Sequence, residues 1–276
     1  MHIGILTNTF DTTTPEQTAR AVHAHGLTHV QLELPSVGWT PLPEHIDHAE
    51  AARIKQVFAE HGVIIAAVSG TFNMIHPDAA HRAVGLRRLE VLAAACGVLG
   101  TSVITLCSGT RDTGSMWRWH ADSYADDAWL DLIASTRAAA RIGEAHGVTM
   151  AFEPEVNNSV DSARKARRLL DAIGSSKLKV VMDGANVFHA GELPSMRDIL
   201  EEAFALLGDD IALAHAKDLD HDGDAGHLPA GKGLLDYDLY LSLLKRSSFD
   251  GALILHGLGE GDVDGCAAFL GSGMLN

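Results

Sequence analysis

Short apolar runs and amphipathic segments alternate along the chain from one end to the other. Eight runs read as strands: HIGILTN (2–8), HVQLEL (29–34), VIIAAVS (63–69), SVITLCS (102–108), VTMAFE (148–153), LKVVMD (178–183), IALAHAK (211–217) and GALILHG (251–257). Each is a short apolar stretch bounded by turn signals, the pattern of a buried strand. The segments between them carry helical spacing. TPEQTARAVHAHG predicts a helix capped by Thr14, with Pro15 at its first position and Gly26 as its stop. Further helices are predicted to end at Gly62, Gly100, Gly147 and Gly174, the last of them (SARKARRLLDAIG) capped by Ser159 or Asp161. SMRDILEEAFALLG, DYDLYLSLLKRS and VDGCAAFL complete the set.

Helices that stop on Gly and lead within a few residues into a strand are the short connections of a βα repeat. Eight such units predict a single-domain α/β protein over 1–276, a (β/α)8 TIM barrel. A doubly wound open sheet would carry a Gly-rich turn after its first strand, and TNTFDTTTP has no glycine there. The longest stretch without periodicity is 109–126, after the fourth strand. A long loop in a compact domain is often functional.

Composition narrows the function. The 276 residues are 46% hydrophobic and 21% charged, ordinary for a soluble globular chain. No apolar run reaches the length of a membrane span, and MHIGILTNTF reads as a strand rather than a secretory signal. The formal charge of −15 disfavours nucleic acid, whose phosphates call for basic patches. Three widely spaced cysteines, Cys96, Cys107 and Cys266, predict neither a disulfide framework nor a Cys-based zinc site. They fit a reducing cytoplasm.

The chemistry is expected where a barrel keeps it, at the C-terminal ends of the strands. Asp183 follows the apolar VVM, and a carboxylate there is costly to bury unless it is paired. Its neighbours explain it. The fifth to eighth strands end in or carry Glu153, Asp183, His215 and His256, a donor set for one divalent metal ion. Other polar residues at the same end are Asn8, Glu33, Asn73, His76, Glu155, Asn157, Lys217 and Asp218, with Trp117, Arg118, Trp119 and His120 in the long loop. Aromatic rings over a polar cup suit a sugar, which stacks its CH face and hydrogen-bonds its hydroxyls. LPAGKG (228–233) has the composition of a phosphate cradle, but a lone G-K-G reads better as a plain loop.

GTFNMIHPD, FEPEVNN, VVMDGANVFH, AHAKD and GKGLLDY carry a resemblance to the xylose isomerase-like barrel superfamily, of the sugar phosphate isomerase/epimerase type, over essentially the whole length. The resemblance implies that Glu153, Asp183 and His215 bind a divalent cation, Mn2+ first, with Mg2+, Co2+ or Zn2+ as alternatives. A glutamate on the eighth strand usually completes such a site, and here His256 stands in its place. The glutamate pair that works both faces of the substrate carbon in ketose 3-epimerases is therefore broken. Asn186 stands where the zinc-dependent abasic-site endonucleases have histidine, so a three-zinc cluster is not expected.

The implied activity is metal-dependent isomerisation or epimerisation of a sugar or keto-sugar, by α-proton abstraction and an enediolate. Glu153 is the expected base and His256 its partner acid. Lys217 and Glu33 would orient hydroxyls, and Arg118 would meet a substrate phosphate or carboxylate. A keto-inositol or keto-sugar dehydratase shares the first step. A non-catalytic sugar-binding or partner-regulated subunit is the reading from another class. The expected partner is a small sugar, with no nucleic acid and no membrane, and a homo-oligomer is compatible with the sequence.

Overall fold

Val, Ile, Leu and Ala fill the strand runs because a parallel barrel covers both faces of every strand. In the computed structural model, which describes residues 1–275, the runs form β1 (His2–Leu6), β2 (His29–Leu32), β3 (Ile64–Ser69), β4 (Val103–Cys107), β5 (Thr149–Glu153), β6 (Leu178–Asp183) and β7 (Ile211–Asp218). A two-residue β8 (Leu228–Pro229) precedes β9 (Ala252–Leu255), the eighth strand of the barrel. Neighbours pair in parallel from β1 to β7, and β9 joins β7 to β1, which closes the ring. β8 lies outside it, antiparallel on the end of β7. Asn276, the last residue of the domain expected over 1–276, lies outside the described residues.

Helices α1 (Pro15–Ala24), α2 (His48–Glu60), α3 (Ala79–Leu99), α4 (Asp126–His146), α5 (Ala163–Ile173), α6 (Met196–Leu207), α7 (Tyr237–Arg246) and α8 (Val263–Leu275) accompany the strands. Thr14 caps α1 as expected, its side chain accepting from the Gln17 amide. The five stop glycines, Gly26, Gly62, Gly100, Gly147 and Gly174, all have φ between 66° and 86°, where a Cβ would be strained. The cap of α5 is Ser162 rather than Ser159 or Asp161. Asp161 instead pairs with Lys165 at 2.9 Å, and the Ser159 hydroxyl donates to the Ser123 carbonyl. No described helix is long and apolar enough to cross a membrane.

The apolar core has two parts. The larger lies between sheet and helices. The smaller, with Leu6, Ala67, Ala151, Val181, Leu213 and Ile254, fills the barrel interior. Side chains alternate along a strand, so the residue two places on from a plug residue faces the same interior. That single rule sets the floor of the site.

Candidate active site

The inward column of each strand runs from plug to polar group: Ala151 to Glu153, Val181 to Asp183, Leu213 to His215 to Lys217, and Ile254 to His256. The ladder places Asp183 beside His215 and Glu153 beside Cys107. Above the plug opens a cavity of about 570 Å³, which Glu33, Glu153, Glu155, His215, Lys217 and His256 line.

At its floor the carboxylates and imidazoles are oriented by amides. Asn186 Nδ2 donates to Glu153 Oε1 at 2.6 Å, and Asn186 Oδ1 accepts from the Gly226 amide at 2.8 Å. Gln31 Nε2 donates to Ser69 Oγ (2.9 Å) and Thr105 Oγ1 (3.1 Å), which turns its Oε1 to His215 Nε2 at 2.8 Å. His215 therefore carries its proton on Nε2. Its Nδ1 then faces Glu153 Oε1 at 3.2 Å and Asp183 Oδ2 at 3.8 Å. Two carboxylates and a ring nitrogen at such distances call for a proton or a cation among them. Lys217 Nζ supplies part of the charge, 3.2 Å from Asp183 Oδ2 and 3.9 Å from Glu153 Oε1.

The electrostatics follow from burial and this crowding. Burial pushes the Asp183 carboxyl up, against the pull of Lys217, and it stands above its ordinary value. Burial acts the same way on Glu153, but His215 and Lys217 outweigh it and hold that carboxyl low. Burial opposes the Lys217 charge, yet Asp183 and Glu153 keep the ammonium protonated. Glu155 is pushed up to about 8 by burial and by Glu153 beside it, so it is a neutral carboxyl at pH 7. Burial, with Lys217 and His215 adjacent, holds His256 well below the usual imidazole value. It is a neutral ring with a lone pair to offer.

A divalent cation fits these residues. Asp183 Oδ2 and His256 Nδ1 are buried without a hydrogen-bond partner. Asp183, His215 and His256 each bring one ligand atom within 4.8 Å of the others, and the two imidazoles meet edge to face at 5.0 Å. Carboxylate and imidazole donors suit a borderline divalent ion.

Of the substrate-binding residues expected from sequence, Glu33, Trp117, Glu155 and Lys217 line the cavity. Asn73, His76, Arg118 and His120 do not. Asn73 Nδ2 donates to the Thr110 carbonyl at 2.8 Å and pins the long loop. The His76 ring stacks on His81 at 4.1 Å, in a neighbouring cavity of about 400 Å³. Arg118 is exposed and pairs with Asp112 at 3.2 Å. His120 caps a short 3-10 turn by accepting from the Asp122 amide. All four are engaged locally, by backbone or by neighbouring side chains, away from the cup. In LPAGKG the amide of Gly231 already donates to Asp218 Oδ2, and just beyond it the Leu235 amide donates to Asp218 Oδ1, so a carboxylate of the chain itself takes donors a phosphate would use.

The helical layer supports the floor through α7, where the Tyr237 hydroxyl donates to the Lys217 carbonyl at 2.8 Å. The buried Tyr240 hydroxyl on α7 lies 2.9 Å from the carbonyls of both Met182 and His215. Tyr240→Phe leaves those carbonyls short of a donor and should lower unfolding stability by about 1–3 kcal/mol. Urea denaturation reads this directly. Metal affinity should weaken with it, because Asp183 and His215 hang on those two strand ends.

Residues 19–262 match the family model described as xylose isomerase-like TIM barrel. Among solved structures the chain is similar to a probable 3-DHS dehydratase, AsbF, involved in petrobactin synthesis, from Bacillus anthracis, with a TM-score of 0.75 and 14% identity over 98% of this chain and 99% of that one. It is similar to the 3-keto-D-glucoside 4-epimerase YcjR from E. coli, with a TM-score of 0.73 and 15% identity over 99% of each chain. A third likeness is to the IOLI protein with a bound zinc atom, at a TM-score of 0.74 and 16% identity over 99% of this chain and 98% of that one.

Proposed function

Because the chain belongs to the xylose isomerase-like TIM barrel family, we propose that its cup is the active site of a divalent-metal-dependent sugar isomerase or epimerase acting on a keto-sugar. The observation that carries this reading is the buried Asp183 Oδ2, without a hydrogen-bond partner, facing His215 Nδ1, which Glu153 Oε1 also faces. A divalent ion held by Asp183, His215, His256 and Glu153, Mn2+ by preference, would polarise the substrate carbonyl and make the adjacent C–H more acidic.

The chain's residues do the rest. Glu153, held deprotonated and aimed by Asn186, takes the α-proton. Lys217 and the neutral Glu155 are the proton-bearing groups in the cup, and either can hand a proton to the carbon skeleton or to an oxygen on it. Glu33, half-buried at the rim, accepts from substrate hydroxyls, and the exposed face of Trp117 covers the sugar ring. A buried acid that can protonate a leaving hydroxyl also serves a dehydratase, so loss of water from the product is the second outcome tested.

Solvent-deuterium exchange tests the shared first step. The protein is stripped with a chelator, reloaded with Mn2+, Co2+, Mg2+ or Zn2+, and incubated in D2O with ketoses and 3-keto-glycosides. NMR should show deuterium entering the α-position of one substrate only with metal present. Glu153→Gln should slow that exchange by about 10²–10⁴-fold. Metal-loaded protein that exchanges no α-proton in any member of the panel sinks the enzymatic reading in favour of a binding subunit.

A further inference from the structure

Outside the cup, the loop from β7 to β8 carries a second set of metal-type side chains. Asp220, His221 and His227 each offer a ligand atom, all within 4.8 Å of one another. His221 Nδ1 lies 2.5 Å and His227 Nε2 2.8 Å from Asp220 Oδ1, with the two imidazole rings 4.4 Å apart. The loop is anchored rather than free. Gly223 N donates to the Phe188 carbonyl at 3.0 Å, Asp222 accepts from the Leu193 amide at 2.8 Å, and His227 N donates to the Asp218 carbonyl at 2.9 Å beside the β7–β8 bridge.

The hydrogen bonding of His227 points to a cation. In the tautomer whose Nδ1–H donates to the Ala225 carbonyl oxygen, 3.3 Å away, the ring proton sits on Nδ1. Nε2 then presents a lone pair to the Asp220 carboxylate across 2.8 Å. Two acceptors in that position are reconciled by a proton or by a metal ion between them. An imidazole that gives its other N–H to a backbone carbonyl is the usual outer shell of a ligating histidine. Two imidazoles with one carboxylate select a borderline ion of the zinc type over Mg2+ or Ca2+.

The same loop reaches the cup. Asp224 and Ala225 form part of the cavity wall, and the Asn157 side-chain amide donates to Asp224. We infer that Asp220, His221 and His227 form a second site, for a zinc-type divalent ion, which clamps the loop that walls the cup.

Metal-free protein is dialysed against micromolar Zn2+ and compared with the double variant His221→Ala/His227→Ala. Both residues are outside the core, at 59% and 33% side-chain exposure, so the variant should fold. The wild type should take up one zinc equivalent more than the variant. Because the readout is a difference, it holds whether the cup itself binds zinc or not. Amide hydrogen exchange over residues 219–227 should slow on zinc addition in the wild type only, and millimolar Mg2+ should not reproduce it. Equal zinc uptake by the two proteins overturns the site. Unequal uptake with unchanged exchange overturns the clamp.

Discussion

Asp183→Ala should cost the cup its tight divalent ion, and with it turnover. Its Oδ2 is the one floor carboxylate oxygen that is buried and without a hydrogen-bond partner among the described residues. Removing it takes a negative charge and a ligand from a site that also contains the Lys217 ammonium, so electrostatics and coordination fall together. Loss of a merely supporting partner costs about 10–100-fold in metal affinity, and loss of a charged ligand should exceed that. A Lewis acid contributes several kcal/mol to the transition state, so turnover should fall by on the order of 10³-fold or more. The fold should survive. Lys217 keeps Glu153 as a counter-charge at 3.9 Å, so no unpaired ammonium is stranded in the interior. Calorimetric metal titration with circular dichroism on the same sample makes the check. A variant with full occupancy at limiting metal would remove Asp183 from the ligand set.

The strand ends were legible because the barrel makes them so. Once eight apolar runs alternate with helices, the polar residue after each run has one place to go, and Glu153, Asp183, His215 and His256 come together there. Gln31 was equally available and was passed over. In HVQLEL it lies two residues before Glu33, so alternation puts both on the inward face. A polar residue inside an apolar run was the signal. The long loop was less legible. A strand end has a fixed direction, but a loop residue turns wherever its backbone needs a partner. Arg118 was drawn to Asp112 and His120 to the Asp122 amide, neither visible without coordinates. Asn186 shows the reverse case. Sequence marked it as a departure from a histidine, while the fold makes it the group that aims Glu153. The cap of α5 missed by a residue because Ser159, Asp161 and Ser162 are all competent caps, and tertiary contacts decided among them.

His256 separates two kinds of chemistry. From sequence it is a partner acid that titrates near neutral pH. In the structure burial beside Lys217 and His215 keeps it neutral well below the usual value of 6.5, which suits a ligand better than a proton donor. His256→Ala should therefore weaken metal binding by at least the roughly 10–100-fold that loss of a supporting partner costs, and abolish turnover at limiting metal. Excess metal should recover much of that turnover. A lost proton donor would not be rescued by metal, so the titration distinguishes the roles. His256→Glu puts a carboxylate at the end of the eighth barrel strand. A further negative charge should tighten the ion by an order of magnitude or so, while repulsion from Asp183 and Glu153 destabilises the metal-free protein. Acid sensitivity gives an independent reading. A buried imidazole with a depressed value is protonated more readily in the unfolded chain, so stability is full above about 6.5 and is lost as pH falls further. Metal-free His256→Ala lacks that penalty and should lose less stability on acidification than the wild type, in thermal melts run from pH 7 downwards. If wild type and His256→Ala decline alike, with equal metal affinity, His256 is only part of the barrel wall.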